Sequence, residues 1–246
     1  MIPRLFTPAR LFVAAMVVWP VAAVFPLGAQ TGFPFSDDEA LQYTVNWPSG
    51  ISLGDVTLTA HRTKEGWNFA ATLDASVPGF TLSDRYRSKV ETNDLCSTEF
   101  ERDVTHGGKH TVDKTTFDQQ NGTAHRVTVL PEGGGKTDYS IGSCAHDALA
   151  YVYLTRREMG QGRMPAAQQV YFGSAYSVTP QYTGEETITS LGTGRKPAVT
   201  DKVVIAVKGP QSDFQFEMYF ARDPQRTPLS IRVPTSLGTI ALELAR

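Results

Sequence analysis

Apolar and polar residues alternate with a period of two along most of the chain, which is the pattern of half-buried β-strands. The first example is residues 41–47, Leu-Gln-Tyr-Thr-Val-Asn-Trp, and a turn at Pro48-Ser49-Gly50 follows it. Similar short segments continue to residue 244, and Gly or Pro separates most of them. Strands repeated at intervals of about 8–12 residues predict an antiparallel meander that forms a strongly curved sheet or an open barrel.

Two turn signals place hairpins within this predicted sheet. The sequence His-Gly-Gly-Lys at residues 106–109 lies between two strand patterns, as in a hairpin. Asn121-Gly122 is a dipeptide that favours tight turns, and it should lead from Phe117 or Asp118 into a strand at residues 124–130.

One segment departs from the strand pattern and predicts an α-helix over residues 144–159. Ser143 is a candidate N-cap, and Asp147 in the first turn and Arg156 near the end both suit the helix dipole. Gly160 is a natural residue for the position after the helix. Apolar residues recur at the 3, 4 and 7 spacing of one helix face: Ala145, Leu149, Val152 and Tyr153. The predicted fold is therefore mainly β, with this helix covering the sheet.

The first 29 residues predict a cleaved export signal. Arg4 and Arg10 precede an apolar run at residues 11–25, and Pro-Leu-Gly-Ala ends the segment. An uncleaved membrane anchor is the alternative, because residues 11–29 approach the roughly 20 that span a bilayer. Pro20 within the run and the absence of a basic stop favour cleavage.

Two cleavage sites fit this signal, one after Ala29 and one after Ala23. No cysteine lies near either site, which argues against a lipoprotein. No later apolar stretch approaches membrane-spanning length, so we expect no transmembrane segment in the mature chain. A β-rich domain over residues 38–246 would then lie in the periplasm or outside the cell.

Charge argues against nucleic acid as a partner. Loss of residues 1–29 leaves a net charge of about −4, whereas nucleic-acid-binding proteins carry a basic excess or stripe. Arg85, Arg87 and Lys89 alternate along one segment, but Asp84 and Glu91 flank them. A solvated strand face explains that pattern.

The two cysteines, Cys96 and Cys144, predict a disulfide, because export places the chain in an oxidising compartment. The bridge would close a loop of about 49 residues and stabilise the fold by about 4 kcal/mol in the chain-entropy model. Two buried thiols are the first alternative. A catalytic thiol is the second, with His146 as the only nearby base.

Other chemistry is sparse in the sequence. His106 and His110 are four residues apart, but the glycines between them favour a hairpin turn over a zinc site. Gly-Ile-Ser-Leu-Gly at residues 50–54 has the Gly-x-Ser-x-Gly spacing, but it opens a predicted strand and no helix follows it, so it is not a nucleophile elbow. No glycine-rich phosphate loop precedes the predicted helix. We therefore nominate no catalytic residue, no metal ligand and no cofactor.

Aromatic side chains are concentrated in the predicted strands. They form an ordinary core or, alternatively, line an apolar cavity on the concave side of a curved sheet. The residues concerned are Trp47, Trp67, Phe69, Phe80, Tyr86, Phe100, Phe117, Tyr171, Phe172, Phe214, Phe216, Tyr219 and Phe220.

Three segments resemble a family of bacterial exported proteins catalogued as domain of unknown function 3108. They are Glu-x-Leu-x-Tyr-x-Val-x-Trp with Gly-Ile and Gly at residues 39–54, Asp-Ala-Leu-Ala-Tyr-Val-Tyr-Leu-Thr-Arg at 147–156, and Phe-Ala-Arg-Asp-Pro-Gln-Arg-Thr-Pro-Leu at 220–229. The family commonly has Ser where Ala150 stands. The resemblance spans Asp38 to the C-terminus. It implies one antiparallel β-rich domain in the cell envelope and no established activity.

Three hypotheses for the function follow. The first is a non-catalytic envelope protein that binds a lipid or another apolar ligand in the concave face of its sheet. The second is a structural or protein-interaction module that contacts another envelope protein. The third is a hydrolase that uses His110, His146 or Asp147, which requires at least two of these side chains to converge in one cleft.

Overall fold

The computed structural model of the protein describes most of the chain beyond residue 31, namely residues 32–77, 79–190, 193–210, 213–235 and 238–245. The predicted signal segment, residues 1–29, lies outside the described residues.

The described residues form one sheet of fifteen strands and one helix. The first eight strands are β1 (Asp38–Asn46), β2 (Ser52–Arg62), β3 (Gly66–Val77), β4 (Phe80–Glu91), β5 (Ser97–His106), β6 (Lys109–Asp118), β7 (Thr123–Leu130) and β8 (Lys136–Ser140). The remaining elements are β9 (His146–Asp147), α1 (Ala148–Gly160), β10 (Gln168–Tyr171), β11 (Ala175–Ile188), β12 (Ala198–Lys208), β13 (Asp213–Ala221), β14 (Pro228–Thr235) and β15 (Gly238–Leu244).

Neighbouring strands in the chain are almost always neighbours in the sheet. The strand order is β8-β7-β6-β5-β4-β3-β2-β1-β15-β14-β13-β12-β11-β10-β9, and the sheet is not closed. β1 therefore pairs with both β2 and β15, which joins the two ends of the domain sequence. The predicted curved antiparallel meander is confirmed, with one exception. β9 pairs with β10 in parallel, because α1 connects them as a crossover.

The predicted hairpin at residues 106–109 is present. His106 pairs with Lys109 across the Gly-Gly turn between β5 and β6. Asn121-Gly122 lies in the connection between β6 and β7, as expected from the dipeptide. The alternating basic residues of β4 point away from the core and pair with acidic residues of adjacent strands: Arg85 with Asp74, Arg87 with Glu101 and Lys89 with Glu99.

Helix α1 starts later than the sequence predicts. The predicted helix covers residues 144–159 with Ser143 as its N-cap, whereas α1 is Ala148–Gly160 and its N-cap is Asp147. Two constraints keep the preceding residues out of the helix. Cys144 has a φ of 57°, which is left-handed, and β9 is held extended by its pairing with β10.

The Asp147 carboxylate joins α1 to two strands. Its Oδ1 accepts hydrogen bonds from the backbone N–H groups of Leu149 (2.9 Å) and Ala150 (3.1 Å), which are otherwise unpaired at a helix start. Its Oδ2 accepts from the hydroxyls of Ser88 on β4 (2.6 Å) and Ser97 on β5 (2.7 Å). Burial raises the pKa of the Asp147 carboxyl, and these four hydrogen bonds oppose that rise.

An aromatic cluster fills one part of the space between α1 and the sheet. The ring of Tyr153 on α1 stacks on Phe69 of β3, with centroids 4.0 Å apart. Phe35, which precedes β1, meets Tyr153 and Trp67 edge to face at 4.9 and 5.0 Å. These side chains are almost fully buried. The aromatic residues predicted in the strands therefore build an ordinary core in this part.

The second anchor of α1 is an ion pair inside the core. Arg156, which is 1% exposed, forms a bidentate pair with Glu39 of β1 at 2.5 and 2.8 Å. It also donates to the Gln225 carbonyl at 3.1 Å, and its guanidinium lies over the rings of Phe35 and Tyr153. The sequence placed Arg156 near the end of the helix, where it suits the dipole, but did not indicate its partner, which lies 117 residues away.

The disulfide predicted from the two cysteines is present in the structure. The Sγ atoms of Cys96 and Cys144 are 2.04 Å apart and the Cα atoms 4.6 Å apart, within the geometric limit of about 7 Å. The bridge joins the start of β5 to the segment that leads into β9. Because Ser97 follows Cys96 and Asp147 lies three residues after Cys144, the bridge holds Ser97 close to Asp147.

Removing one partner of the buried ion pair should destabilise the protein. Arg156→Met leaves the Glu39 carboxylate, which is 11% exposed, without a cation, and we expect the free energy of unfolding to fall by about 3 kcal/mol. Urea denaturation measures this change. Arg87→Met, which breaks an exposed pair with Glu101, is the matched control and should cost less than about 1 kcal/mol. An equal loss of unfolding free energy in both variants would contradict a special stabilising role for the buried Arg156–Glu39 pair.

Loss of the disulfide should also destabilise the fold. The double variant Cys96→Ser/Cys144→Ser should lose about 4 kcal/mol of unfolding free energy, because the unfolded chain regains the freedom of a long loop. The measurement is thermal and urea unfolding of oxidised and reduced wild type and of the variant. Reduced wild type should resemble the variant. Unchanged stability in all three samples would show that the bridge does not constrain the fold.

Candidate functional site

An apolar groove lies beside the filled part of the core, between α1 and strands β10 to β13. Its volume is about 370 Å³, which falls within the usual range for small-molecule pockets, about 300–1,000 Å³. Its lining side chains are apolar or aromatic: Ala148, Tyr151, Val152, Val170, Phe172, Tyr176, Val178, Ile205, Val207, Phe214 and Phe216.

Strand register explains why the groove is apolar. Ile205 pairs with Phe216, and Val207 pairs with Phe214, so these four side chains share one face of β12 and β13. Val152 of α1 is half-buried and lines the same space. Phe214 is 46% exposed, which is unusual for a large apolar side chain beside a cavity. The groove is thus open to solvent on the Phe214 side.

Charged and hydroxyl side chains occupy the interior face of β4 to β7, and we call this set the polar strip: Asp84, Tyr86, Arg102, His106, Asp113, Arg126 and Thr128. Asp84 is 4% exposed and is held by the Tyr86 hydroxyl (2.8 Å) and by His106 Nε2 (2.9 Å). Asp113 is 3% exposed and accepts from Arg126 and Thr128, both at 2.7 Å. Burial raises the pKa of Tyr86, and its hydrogen bond to Asp84 adds to the rise.

Phe172 connects the polar strip to the apolar groove. Its ring lines the groove, and the Arg102 guanidinium carbon lies 4.7 Å from the ring centroid. Arg102 also donates to the Phe172 carbonyl at 3.3 Å. Gly173 has a φ of +73°, which favours glycine, and a Cβ there would lie 1.6 Å from Arg102 Nη1, so a larger residue would displace the Arg102 guanidinium from its present position. The Tyr139 hydroxyl of β8 also donates a hydrogen bond to this turn, at the Gly173 carbonyl.

A second and larger cleft, about 790 Å³, lies on the outer face of the sheet. Its lining is polar and its charges are balanced, since Arg195 and Arg232 stand with Glu217 and Glu243. Arg232 lies over the Tyr219 ring at 4.5 Å, and Lys202 pairs with Glu217 at 2.8 Å. The Lys202 hydrogen bond lowers the pKa of Glu217 against the effect of burial. Most charges here already have a protein partner.

The residues named in the hydrolase hypothesis do not share a partner. His110 bonds to Asp103 on the exposed face of the β5–β6 hairpin. His146 contacts the Gln168 side chain (2.9 Å) and the Asp94 carbonyl (3.1 Å), whereas Asp147 is enclosed by two serines and the start of α1. These side chains do not form one cleft. His146 Nε2 is 3.6 Å from Cys144 Sγ, but that sulfur is in the disulfide.

Among the described residues, no group of three or more His, Cys, Asp and Glu side chains could hold a metal ion. No helix of the described ranges is both long and apolar enough to cross a membrane.

Sequence reasoning found the aromatic strands but not the groove itself. Phe172, Phe214 and Phe216 were candidates for lining a cavity, and all three line the groove. Tyr219 and Phe220 were candidates too, but Tyr219 lies on the outer face of β13 and Phe220 lies in the core. The period of two separates the faces of a strand. It does not show where α1 leaves space uncovered.

Comparison with known proteins agrees with the fold. The crystal structure of a beta-barrel-like protein of domain of unknown function DUF1849 from Brucella abortus is similar to this chain, with a TM-score of 0.61 and 8% sequence identity. The match covers 84% of this chain and 95% of that chain. No curated protein matches the sequence. The profile of the family described as protein of unknown function DUF3108 matches residues 42–245, so the chain belongs to the DUF3108 family.

Proposed function

We propose that this protein binds an apolar ligand, such as a lipid or an acyl chain, in the apolar groove beneath α1. The observation that carries the proposal is an apolar groove of about 370 Å³, open to solvent on one side, next to the aromatic core beneath the same helix. Small-molecule sites are concave and mostly apolar, so an apolar groove of this size is a candidate binding site. The exposed Phe214 ring offers further apolar surface at the entrance.

The position of α1 supports binding without a large rearrangement. Asp147 and Arg156 fix the helix by buried hydrogen bonds near its two ends. The groove wall on that side is therefore held in place before a ligand arrives. A preformed site avoids part of the entropy cost of ordering protein groups on binding.

We further propose that the protein acts in the cell envelope. The apolar segment at residues 11–25 behind Arg4 and Arg10 supports export, and a disulfide between Cys96 and Cys144 suits an oxidising compartment. The membranes of the envelope would supply lipid ligands.

Filling the groove should weaken ligand binding. Val152→Trp places an indole in the space, and we expect the affinity for the neutral dye N-phenyl-1-naphthylamine to fall about tenfold or more, which corresponds to about 1.4 kcal/mol. Fluorescence titration measures the affinity. Val199→Trp, at a position of β12 that is 48% exposed and outside the groove, is the control and should bind like wild type.

A second pair of variants tests the entrance. Phe214→Ser should weaken dye binding several-fold, whereas Phe80→Ser, at a similarly exposed position (43% against 46%), should not. Wild-type protein that binds no dye, or dye binding that survives Val152→Trp and Phe214→Ser unchanged, would refute the groove as the site. That result would favour the structural or protein-interaction module.

Export should yield a shortened, oxidised protein. Expression of the full chain in a bacterium, followed by fractionation and intact mass measurement, should give a periplasmic or secreted species that starts at Gln30 or Val24 and carries the Cys96–Cys144 bridge. A variant without residues 1–29 is the control and should stay in the cytoplasm. A full-length species in the cytoplasm or held in the membrane would contradict the proposal.

A further inference from the structure

The polar strip contains two arginines whose hydrogen-bonding capacity is only partly used. A guanidinium has five N–H donors. The Nε groups of Arg102 and Arg126 are buried and have no hydrogen-bond partner among the described residues. Within the described ranges, Arg102 donates a hydrogen bond to the Phe172 carbonyl at 3.3 Å, and its closest carboxylate oxygen, on Asp113, is 3.8 Å away.

The carboxylates of the polar strip do not balance these cations one by one. Asp113 is shared by Arg126, at 2.7 Å, and Arg102, at the longer distance. Asp84 is occupied by the Tyr86 hydroxyl and by His106. One carboxylate therefore serves two guanidiniums, and Arg102 is the one left with the weaker contact. An added anion would supply short, charge-assisted hydrogen bonds to donors that now lack them.

Arg102 stands at the boundary of the apolar groove. Its guanidinium lies against the ring of Phe172, which is itself a groove residue, and against the backbone of Gly173. The side chains of Arg102 and Arg126 are 22% and 24% exposed, so both retain access to solvent. A molecule with its apolar part in the groove would thus have its end near a partly unsatisfied cation.

We infer that the ligand is an amphiphile with an acidic head group, a carboxylate or a phosphate, whose head binds Arg102 and Arg126 while its chain occupies the apolar groove. This inference rests on the proposed function and adds the chemical class of the ligand. It also accounts for Gly173, because the missing side chain leaves Arg102 its place beside Phe172.

The test is displacement of N-phenyl-1-naphthylamine by ligands that share a twelve-carbon chain. Dodecanoate and dodecyl phosphate carry the acidic head, and 1-dodecanol lacks the charge. We expect the two acids to displace the dye at concentrations about tenfold lower than the alcohol, as charge-assisted hydrogen bonds in a partly desolvated site would give. Acetate and inorganic phosphate, which have no chain, should not displace it, which separates a lipid head group from a free anion.

Variants assign the preference to the arginines. Arg102→Gln and Arg126→Gln should each lower the affinity for dodecanoate about tenfold and leave the affinity for 1-dodecanol within about twofold. Arg87→Gln on the outer face of β4 is the control and should change neither. Dye binding by each variant shows that the groove is still formed.

The outcomes distinguish the two proposals. Equal displacement by acid and alcohol in the wild type overturns the head-group inference and leaves the apolar ligand standing. A preference for the acid that survives both substitutions overturns it too. Equal loss of acid and alcohol in Arg102→Gln also overturns it, because Arg102 would then only hold the turn at Gly173. Absence of dye binding in the wild type is the failure of the proposed function itself.

Discussion

The buried carboxylate of Asp147 is the contact on which the arrangement of this protein depends. It caps α1 and at the same time accepts hydrogen bonds from serines on β4 and β5. A buried polar group is costly unless it is hydrogen-bonded, and four donors bond to this one. The direction of α1 from that point decides which part of the concave face the helix covers. The disulfide beside it and the Arg156–Glu39 pair further along secure the same arrangement.

A sheet that does not close must cover its concave face by other means. Tyr153, Phe69 and their aromatic neighbours fill the space on one side of α1, and the groove next to Val152 stays open on the other. Side chains connect the two halves of the open sheet: Arg102 of β5 and Tyr139 of β8 both donate hydrogen bonds to carbonyls of the β10–β11 turn. The similarity to the DUF1849 protein at 8% identity shows that very different sequences build this fold. The chemistry of each groove has to be argued from its own side chains.

The period of two and the turn dipeptides predicted most of the strands, because these signals are local. The disulfide followed from the two cysteines and the prediction of export. The exact helix start did not follow, since Ser143 is a good local N-cap and only β9 pairing and the position of the bridge make Asp147 the cap. The Arg156–Glu39 pair and the polar strip escaped prediction for a related reason. Their partners come together only when distant strands are placed side by side, and alternation alone does not identify a charged residue that faces inwards.

The central claim is that the space beneath α1 is a ligand site and not a packing defect. Native mass spectrometry of the protein, purified from its own organism without added detergent, tests it most directly. We expect a species heavier than the polypeptide alone by the mass of one lipid or other acyl amphiphile, and the loss of that species in Val152→Trp. Repeated recovery of the bare polypeptide, or an adduct that persists unchanged in Val152→Trp, would contradict it.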